Sequence, residues 1–225
     1  MVVGIVVAAG KSERMGPDID KAFLSLGAKP VLAWALLAFE RCPAVNRVIL
    51  VTRRERVDAA QGLAHMFGCA KTKCVVAGGA TRQASVREGL EATRGEADVV
   101  VIHDGCRPCV TPDLIAETVK SARRQGSGVA AVKVTDTIKE VARGLTVTRT
   151  IDRGRLWAVQ TPQAFRFDLL NEAYRLVEAQ GLSVTDYASA VEALGKPVHL
   201  VSATAANMKI TVPADLVLAA AILNV

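Results

Sequence analysis

Residues 4–16 read GIVVAAGKSERMG, an apolar run that gives way to two alanines, a glycine and then charged residues. A β-branched run that ends in small residues and turns polar is typical of the strand–loop junctions where α/β proteins bind phosphates. Ala8, Ala9 and Gly10 let a ligand approach the backbone because they carry little or no side chain. The stretch matches neither the dinucleotide fingerprint G-x-G-x-x-G nor the Walker pattern G-x-x-x-x-G-K-[ST]. It therefore predicts a phosphate loop of another kind.

The loop continues well beyond this stretch and carries two cations. Pro17 and the polar residues up to Asp20 keep it open, so that it delivers Arg14 and Lys21. Two cations separated in this way can each neutralise different phosphoryl oxygens of a triphosphate. On these residues alone, two solvated surface cations are the simpler interpretation.

Outward from this stretch, short β-branched runs alternate with helical patterns. This order predicts an α/β fold, a Rossmann-like, mostly parallel sheet with helices on both faces. The predicted strands are 2–8, 47–52, 74–76, 99–103, 128–134 and 198–201. The predicted helices are 31–41, 55–66, 85–93, 112–125, 167–180, 186–194 and 213–223.

Length and composition favour a single domain over residues 1–225. Hydrophobic residues make up 51% of the chain and aromatic residues only 4%, so the core is expected to consist of Val, Ala, Leu and Ile. The net charge of +6 has no clustered Lys and Arg interleaved with aromatics, which excludes a typical nucleic-acid binder. The excess positive charge suits small anionic ligands instead.

Sequence features also bear on location. The five cysteines lack the spacing of a disulfide framework, and the N-terminal apolar run has no basic region before it. No apolar segment reaches the ~20 residues that a membrane span requires. We therefore expect a cytoplasmic protein with reduced thiols and no membrane partner.

The segment at about 135–155 breaks the strand–helix rhythm. Its two β-rich halves flank Ala142-Arg143-Gly144 and carry too few apolar residues to form a core, so we predict a projecting two-stranded arm. An exposed ribbon with Ile138 and Leu145 needs a partner, which predicts a homodimer through this dimerisation arm.

Several longer stretches resemble a known family. The residues AAGKSERMG and the following DK resemble the signature of sugar-phosphate nucleotidyltransferases. HDGCRPCV (103–110), IDRGRLWAVQTPQAF (151–165) and NMKIT (207–211) resemble one branch in particular. That branch is the 2-C-methyl-D-erythritol 4-phosphate cytidylyltransferases of isoprenoid precursor biosynthesis, and the resemblance covers essentially the whole chain.

The resemblance implies a reaction between CTP and 2-C-methyl-D-erythritol 4-phosphate that gives 4-diphosphocytidyl-2-C-methyl-D-erythritol and pyrophosphate. Positioning and charge neutralisation do most of the catalysis in such phosphoryl transfers. By this resemblance, the catalytic cations are Arg14, Lys21, Arg153 and Lys209. We expect Lys209 to lie on a strand between two apolar residues.

The resemblance also assigns the nucleotide and the metal. The cytosine and ribose are expected against residues with small side chains or exposed backbone, namely Ala8, Ala9, Gly10, Gly79 and Ser85. Asp104, at the end of a predicted strand, is the carboxylate expected to bind Mg²⁺, which takes one or two carboxylates together with phosphates and water. We expect His103 beside it to be structural.

The polyol phosphate is expected to contact residues from two subunits. Thr137 and Arg153, at the roots of the arm, are expected to reach across the homodimer, so that each active site is shared. The substrate-binding residues implied by the resemblance are Arg107, Thr137, Arg153 and Thr161.

Two alternatives stay open on the sequence alone. A ribitol-5-phosphate cytidylyltransferase shares the fold and most motifs, although Trp157 favours the methylerythritol enzyme. A non-catalytic nucleotide sensor is expected to have lost some of the charged residues that the family's reaction uses, whereas this sequence keeps all five of them. These residues are Arg14, Lys21, Asp104, Arg153 and Lys209.

The sequence departs from the family pattern at a few positions. Ser12 replaces a glycine, and Asp20 replaces the usual proline before Lys21. Asp20 either weakens nucleotide binding by partly neutralising Lys21 or points to solvent. Cys106 and Cys109 are interpreted as incidental small residues.

Overall fold

A seven-stranded sheet forms the centre of the protein in a computed structural model that describes residues 1–10, 20–93, 95–182, 184 and 186–225, without the Arg143 side chain. In chain order, the strands are β1 (Val2–Ala8), β2 (Ser25–Leu26), β3 (Lys29–Pro30), β4 (Arg47–Thr52), β5 (Thr72–Ala77), β6 (Val99–Asp104), β7 (Ser127–Lys133), β8 (Ile138–Val141), β9 (Val147–Ile151), β10 (Trp157–Arg166) and β11 (Leu200–Ser202).

The helices alternate with the strands and cover both faces of the sheet. They are α1 (Val31–Arg41), α2 (Val57–Met66), α3 (Arg82–Glu91), α4 (Pro112–Gln125), α5 (Phe167–Ala179), α6 (Tyr187–Ala193) and α7 (Ala214–Leu223). One face packs against α1, α2 and α4, and the other packs against α3, α5 and α6. The predicted Rossmann-like class is therefore confirmed.

The sheet has the strand order β11-β7-β10-β6-β1-β4-β5. Neighbours β6, β1, β4 and β5 are mutually parallel, whereas β10 runs antiparallel to both β6 and β7. The antiparallel direction of β10 brings its N-terminal half to the carboxyl ends of the parallel strands. In open α/β sheets ligands bind at that edge.

β1 is central and fully enclosed, which explains its unbroken apolar run. Its side chains Val2, Val3 and Ile5 are completely buried. Gly4 faces the ring of Phe39 from α1, and a Cβ at Gly4 would lie only 2.7 Å from that ring. The small residue thus lets α1 pack closely against the sheet.

β10, the longest of the described strands, is absent from the strands that the sequence predicts. It contains Pro162, which cannot donate a ladder hydrogen bond and, by local pattern, disfavours a central strand. The predicted strand at Lys209 is wrong: residues 207–210 lie outside the strands, although the Ile210 N–H donates to the Cys106 carbonyl at 2.8 Å.

The two-stranded arm is present as the antiparallel pair β8–β9. Lys139 Nζ donates to Thr150 Oγ1 at 2.6 Å, and Arg149 pairs with Glu140 across the strands. The apolar side chains of the arm lie in the open, with Leu145 the most exposed of them. Within the described part of the chain, no helix combines the length and apolarity that crossing a membrane requires.

Candidate active site

One carboxylate and three cations meet where β6 ends. Asp104 is the last residue of β6, and its side chain is 9% exposed. Arg82 Nη2 donates to Asp104 Oδ1 at 2.9 Å, and Lys209 Nζ donates to Oδ2 at 2.7 Å. Arg107 Nε lies 3.8 Å from Oδ2. We call these four residues the Asp104 cluster.

The electrostatics of the cluster favour an anionic ligand. Burial alone would raise the pKa of Asp104, but the charges of Arg82 and Lys209 outweigh it and hold that pKa well below its usual range. The carboxylate therefore stays ionised at neutral pH, and three cations against one anion leave two positive charges. A partly enclosed excess of positive charge attracts phosphates more strongly than the same charges in water.

Arg82 is a functional candidate that sequence reasoning missed. It is the first residue of α3, directly after Thr81, whose hydroxyl accepts the Ala84 N–H and caps the helix. Its guanidinium also stacks over the Tyr187 ring, 4.5 Å from the centroid. Arg82 lies in the glycine-rich segment 77–85, but nothing local distinguishes it from a solvated arginine.

The segment 207–210, which carries Lys209, packs against β10 and also holds Arg107. Arg107 Nη1 donates to the Asn207 carbonyl at 2.7 Å. Asn207 Nδ2 in turn donates to the Thr161 carbonyl and to Gln160 Oε1, each at 2.8 Å. Asn207 is buried, so these bonds fix the backbone two residues before Lys209. The sequence motif 207–211 identified Lys209 but not the supporting role of Asn207.

The Thr161 side chain is buried, and its hydroxyl supports the Asp104 cluster through hydrogen bonds to Asp104 and His103. Its Oγ1 accepts the Asp104 N–H at 3.0 Å and lies 3.1 Å from His103 Nδ1. His103 Nε2 lies 3.2 Å from the Arg107 carbonyl, which can only accept, so Nε2 carries the proton. Nδ1 then accepts from the Thr161 hydroxyl. The contact predicted between Thr161 and a phosphate stays a prediction, and it requires the hydroxyl to change partner.

His103 is expected to remain neutral at pH values well below those at which a histidine ordinarily gains a proton. Burial lowers the pKa of His103 to about 4. Nitrogen NMR of the imidazoles should therefore show Nε2 protonated and Nδ1 bare from pH 8 to about pH 5.5, with His103→Gln used for assignment. Because the unfolded chain binds this proton near pH 6.5, stability should be lost as the pH falls from about 6.5 towards 4. A His103 midpoint near 6.5 would contradict the buried network.

The nucleotide residues predicted from sequence gather beside the cluster. Ser85 is buried, and its hydroxyl donates to the Thr81 carbonyl at 2.9 Å. A Cβ at Gly78 would lie 2.7 Å from both Ala9 Cβ and Ser85 Oγ, so the loop after β5 and the loop after β1 approach closely here. Gly10 and Gly79 are exposed and present their backbone to solvent. Ala8 is buried as the end of β1.

Of the two cations predicted to bind the triphosphate, the structure describes only Lys21. Arg14 lies outside the described residues. Lys21 is half-buried, and its charge acts on the thiol of Cys106, two residues after Asp104, where it opposes the larger effect of burial on the pKa. Burial raises that pKa to about 11, so the Cys106 thiol is neutral at pH 7. Lys21 thus acts electrostatically on the loop that follows Asp104.

Asp20 does not point to solvent as one expectation had it. Its side chain is 5% exposed and pairs with Arg53 Nη2 at 2.7 Å and Arg56 Nε at 3.3 Å. The other expectation, partial neutralisation of Lys21, is opposed by these two arginines.

The roots of the arm stand apart from the cluster's hydrogen bonds. Thr137 and Arg153 are exposed, and Arg153 Nη1 donates to the Thr135 carbonyl on the opposite root. The chain itself thus places these two predicted substrate residues on an open surface.

Comparisons with known proteins agree with this geometry. The model of the IspD family, described as 2-C-methyl-D-erythritol 4-phosphate cytidylyltransferase, matches residues 2–225. The enzyme of that name from Geobacillus kaustophilus is 44% identical over 97% of this chain and 95% of its own length. The enzyme of that name from Alkaliphilus oremlandii is 40% identical over 98% of this chain and 94% of its own length.

Solved structures show the same fold. The crystal structure of 2-C-methyl-D-erythritol 4-phosphate cytidylyltransferase from Thermus thermophilus superposes with a TM-score of 0.81 at 35% identity, covering 98% of each chain. The 4-diphosphocytidyl-2C-methyl-D-erythritol synthase from Anaerococcus prevotii gives a TM-score of 0.86 at 28% identity, covering 100% of this chain and 98% of its own.

Proposed function

Because the chain belongs to the 2-C-methyl-D-erythritol 4-phosphate cytidylyltransferase family, we propose that it transfers the cytidylyl group of CTP to 2-C-methyl-D-erythritol 4-phosphate. The products are 4-diphosphocytidyl-2-C-methyl-D-erythritol and pyrophosphate, in isoprenoid precursor biosynthesis. The observation that carries this function is the Asp104 cluster, a buried carboxylate among three cations at the ligand-binding edge of the sheet. Transfer to ribitol 5-phosphate is not favoured by these relatives.

The reaction requires little covalent help from the protein. A phosphate oxygen of the acceptor forms a bond to the α-phosphorus of CTP, and the bond from that phosphorus to the bridging oxygen breaks, so pyrophosphate leaves. The cations Lys21, Lys209 and Arg82 would stabilise charge on the phosphoryl oxygens as it shifts to the leaving group. Arg14 is expected to join them, as the sequence motif predicts.

Asp104 fits a magnesium ion. Within residues 1–10, 20–93, 95–182, 184 and 186–225, no three His, Cys, Asp or Glu side chains group as a ready metal cage. A single ionised carboxylate suits Mg²⁺, which keeps waters and takes its other ligands from substrate phosphates. When bound, the ion would supply further neutralisation of the triphosphate. Asp104 would then hold it in place of one of its present partners, Arg82 or Lys209.

The two glycine-containing loops would hold the nucleoside. Gly78 lies between Ala9 and Ser85, and Gly79 follows it against Ala84, so main-chain groups there can reach a pyrimidine edge where side chains are missing. Arg107, the member of the Asp104 cluster that donates to the Asn207 carbonyl, is assigned to the polyol phosphate.

A homodimer with shared sites explains the exposed arm. The apolar residues of the arm lie in solvent, and Arg153 and Thr137 at its roots make no hydrogen bond to the cluster in the structure as described. An arm that packs on a partner subunit would bury its apolar residues and bring Arg153 and Thr137 to the partner's site.

The five free thiols are compatible with a reducing cytoplasm, the location we assign.

Subunit mixing tests the shared site directly. A Lys21→Ala subunit paired with an Arg153→Ala subunit contains one site with both defects and one intact site. Equal mixing of the two inactive proteins after dissociation should therefore restore about a quarter of wild-type turnover, since about half the dimers are mixed. Recovery no greater than either parent would mean that Arg153 serves its own subunit's site.

Product analysis tests the nucleotide assignment. With Mg²⁺ and 2-C-methyl-D-erythritol 4-phosphate, CTP should give a cytidine diphosphate ester by mass spectrometry, whereas UTP and ATP in separate reactions should give far less. A purine nucleotide used as well as CTP would contradict the nucleoside pocket proposed between Ala9 and Gly79.

A further inference from the structure

We infer that Asp20 is a positioning residue that fixes Lys21 through an ion-pair cluster with Arg53 and Arg56. The inference rests on the proposed role of Lys21 towards the triphosphate. Asp20 is nearly buried, and one oxygen, Oδ2, meets both guanidinium groups, Arg53 Nη2 at 2.7 Å and Arg56 Nε at 3.3 Å. A carboxylate so enclosed remains only where it is paired.

The other atoms of Asp20 shape the backbone around Lys21. Its Oδ1 accepts the Ala22 N–H at 3.3 Å, and its carbonyl accepts the Phe23 N–H at 3.0 Å. Ala22 is buried, and its carbonyl accepts the Leu32 N–H of α1 at 2.9 Å. Lys21 therefore lies between two anchored neighbours. This arrangement reduces the backbone freedom that Lys21 would otherwise lose on binding substrate.

The two arginines connect Lys21 to the nucleoside side of the site. Arg53 directly follows β4, whose last residue, Thr52, accepts the Gly78 N–H with its carbonyl at 2.7 Å. Arg56 also lies over the Phe23 ring, 5.5 Å from its centroid. The ion pairs thus tie the segment that carries Lys21 to the strand end that supports the glycine pair.

The charge balance separates positioning from inhibition. Arg53 and Arg56 balance two carboxylates, Asp20 and Glu55, the latter 3.4 Å from Arg53 Nη1, so Asp20 leaves no uncompensated negative charge beside Lys21. A partly neutralised Lys21 would bind nucleotide better once Asp20 was removed. A positioned Lys21 would instead lose turnover, because the loss falls on transition-state contacts.

The experiment compares Asp20→Asn and Asp20→Ala with Glu96→Gln, which removes the charge of a remote ion pair to Arg47 at 3.0 Å. Both Asp20 variants should lose roughly tenfold in kcat, with KM for CTP changed much less, while Glu96→Gln behaves as wild type. Arg53→Lys, which keeps a cation against Asp20, should retain most of the activity. Thermal unfolding confirms that the variants are folded, and an Asp20→Asn protein that fails to fold would mark Asp20 as structural and overturn the inference.

Epistasis with Lys21 decides between the outcomes. Asp20→Asn should cost nothing further in a Lys21→Ala background, because the residue it positions is already gone. An additional tenfold loss in the double variant would show that Asp20 acts independently of Lys21 and would overturn the inference. Wild-type kcat in Asp20→Asn, with Lys21→Ala impaired, would also overturn it and would leave the proposed function standing. Wild-type turnover in Lys21→Ala itself would instead remove the proposed role of Lys21, and the inference with it.

Discussion

Replacing Asp104 with asparagine is expected to lower kcat roughly a thousandfold, the largest effect of any single substitution considered for this protein. The amide keeps the size of the side chain but loses the charge on which Arg82 and Lys209 converge. It is also a poor magnesium ligand compared with a carboxylate. The substitution would weaken the binding of the proposed magnesium ion and also disturb the placement of two cations, so the expected loss exceeds that of one hydrogen-bond donor.

The measurement is steady-state pyrophosphate release at saturating CTP and acceptor. Asp98→Asn is the matched control, since its carboxylate is 85% exposed and pairs only with the N-terminal ammonium among the contacts described. That control should retain wild-type turnover. Asp104→Asn with more than about a tenth of wild-type kcat would show that the buried carboxylate is not part of the chemistry.

Lys21→Ala is expected to reduce kcat by roughly a hundredfold or more and to leave the fold intact. Lys21 is half-buried, and its charge acts on the thiol of Cys106, two residues after Asp104. Removing a cation that is proposed to contact the leaving phosphates should lower kcat and kcat/KM together. Arg14→Ala is expected to act in the same way.

Lys120→Ala provides the control for Lys21, because its ammonium is 61% exposed and pairs with Glu117 on the same helix. A surface pair of this kind contributes little, so its loss should leave kcat unchanged. If Lys21→Ala and Arg14→Ala both turned over at the wild-type rate, the first loop would have no role in the transition state.

Local pattern was sufficient for much of the fold. β1, β4, α1 and α4 have the bounds that the sequence predicts, because each combines an uninterrupted pattern with a clear terminus. Pro112, for example, begins α4 directly after the capping residue Thr111. β10 escaped because its position depends on pairing with β6 and β7, which no local pattern encodes, and because Pro162 interrupts it.

Some residues of the candidate site could likewise be recognised from the sequence, whereas others could not. Asp104 and Lys209 were both named through motifs of the family resemblance, and the position of Asp104 at the end of a buried strand supports its choice. Arg82 was not, because its role comes from the approach of α3 to β6, which the sequence does not display. The solvent-exposed alternative for Asp20 was wrong for a similar reason, since its partners Arg53 and Arg56 are more than thirty residues away in sequence.

Pyrophosphate release with Mg²⁺ and CTP, measured with 2-C-methyl-D-erythritol 4-phosphate and with ribitol 5-phosphate in separate reactions, tests the proposed activity most directly. We expect rapid release with the first acceptor, in amounts equal to the nucleotide ester formed, and negligible release with the second. Release with ribitol 5-phosphate alone, or with neither acceptor, would contradict it.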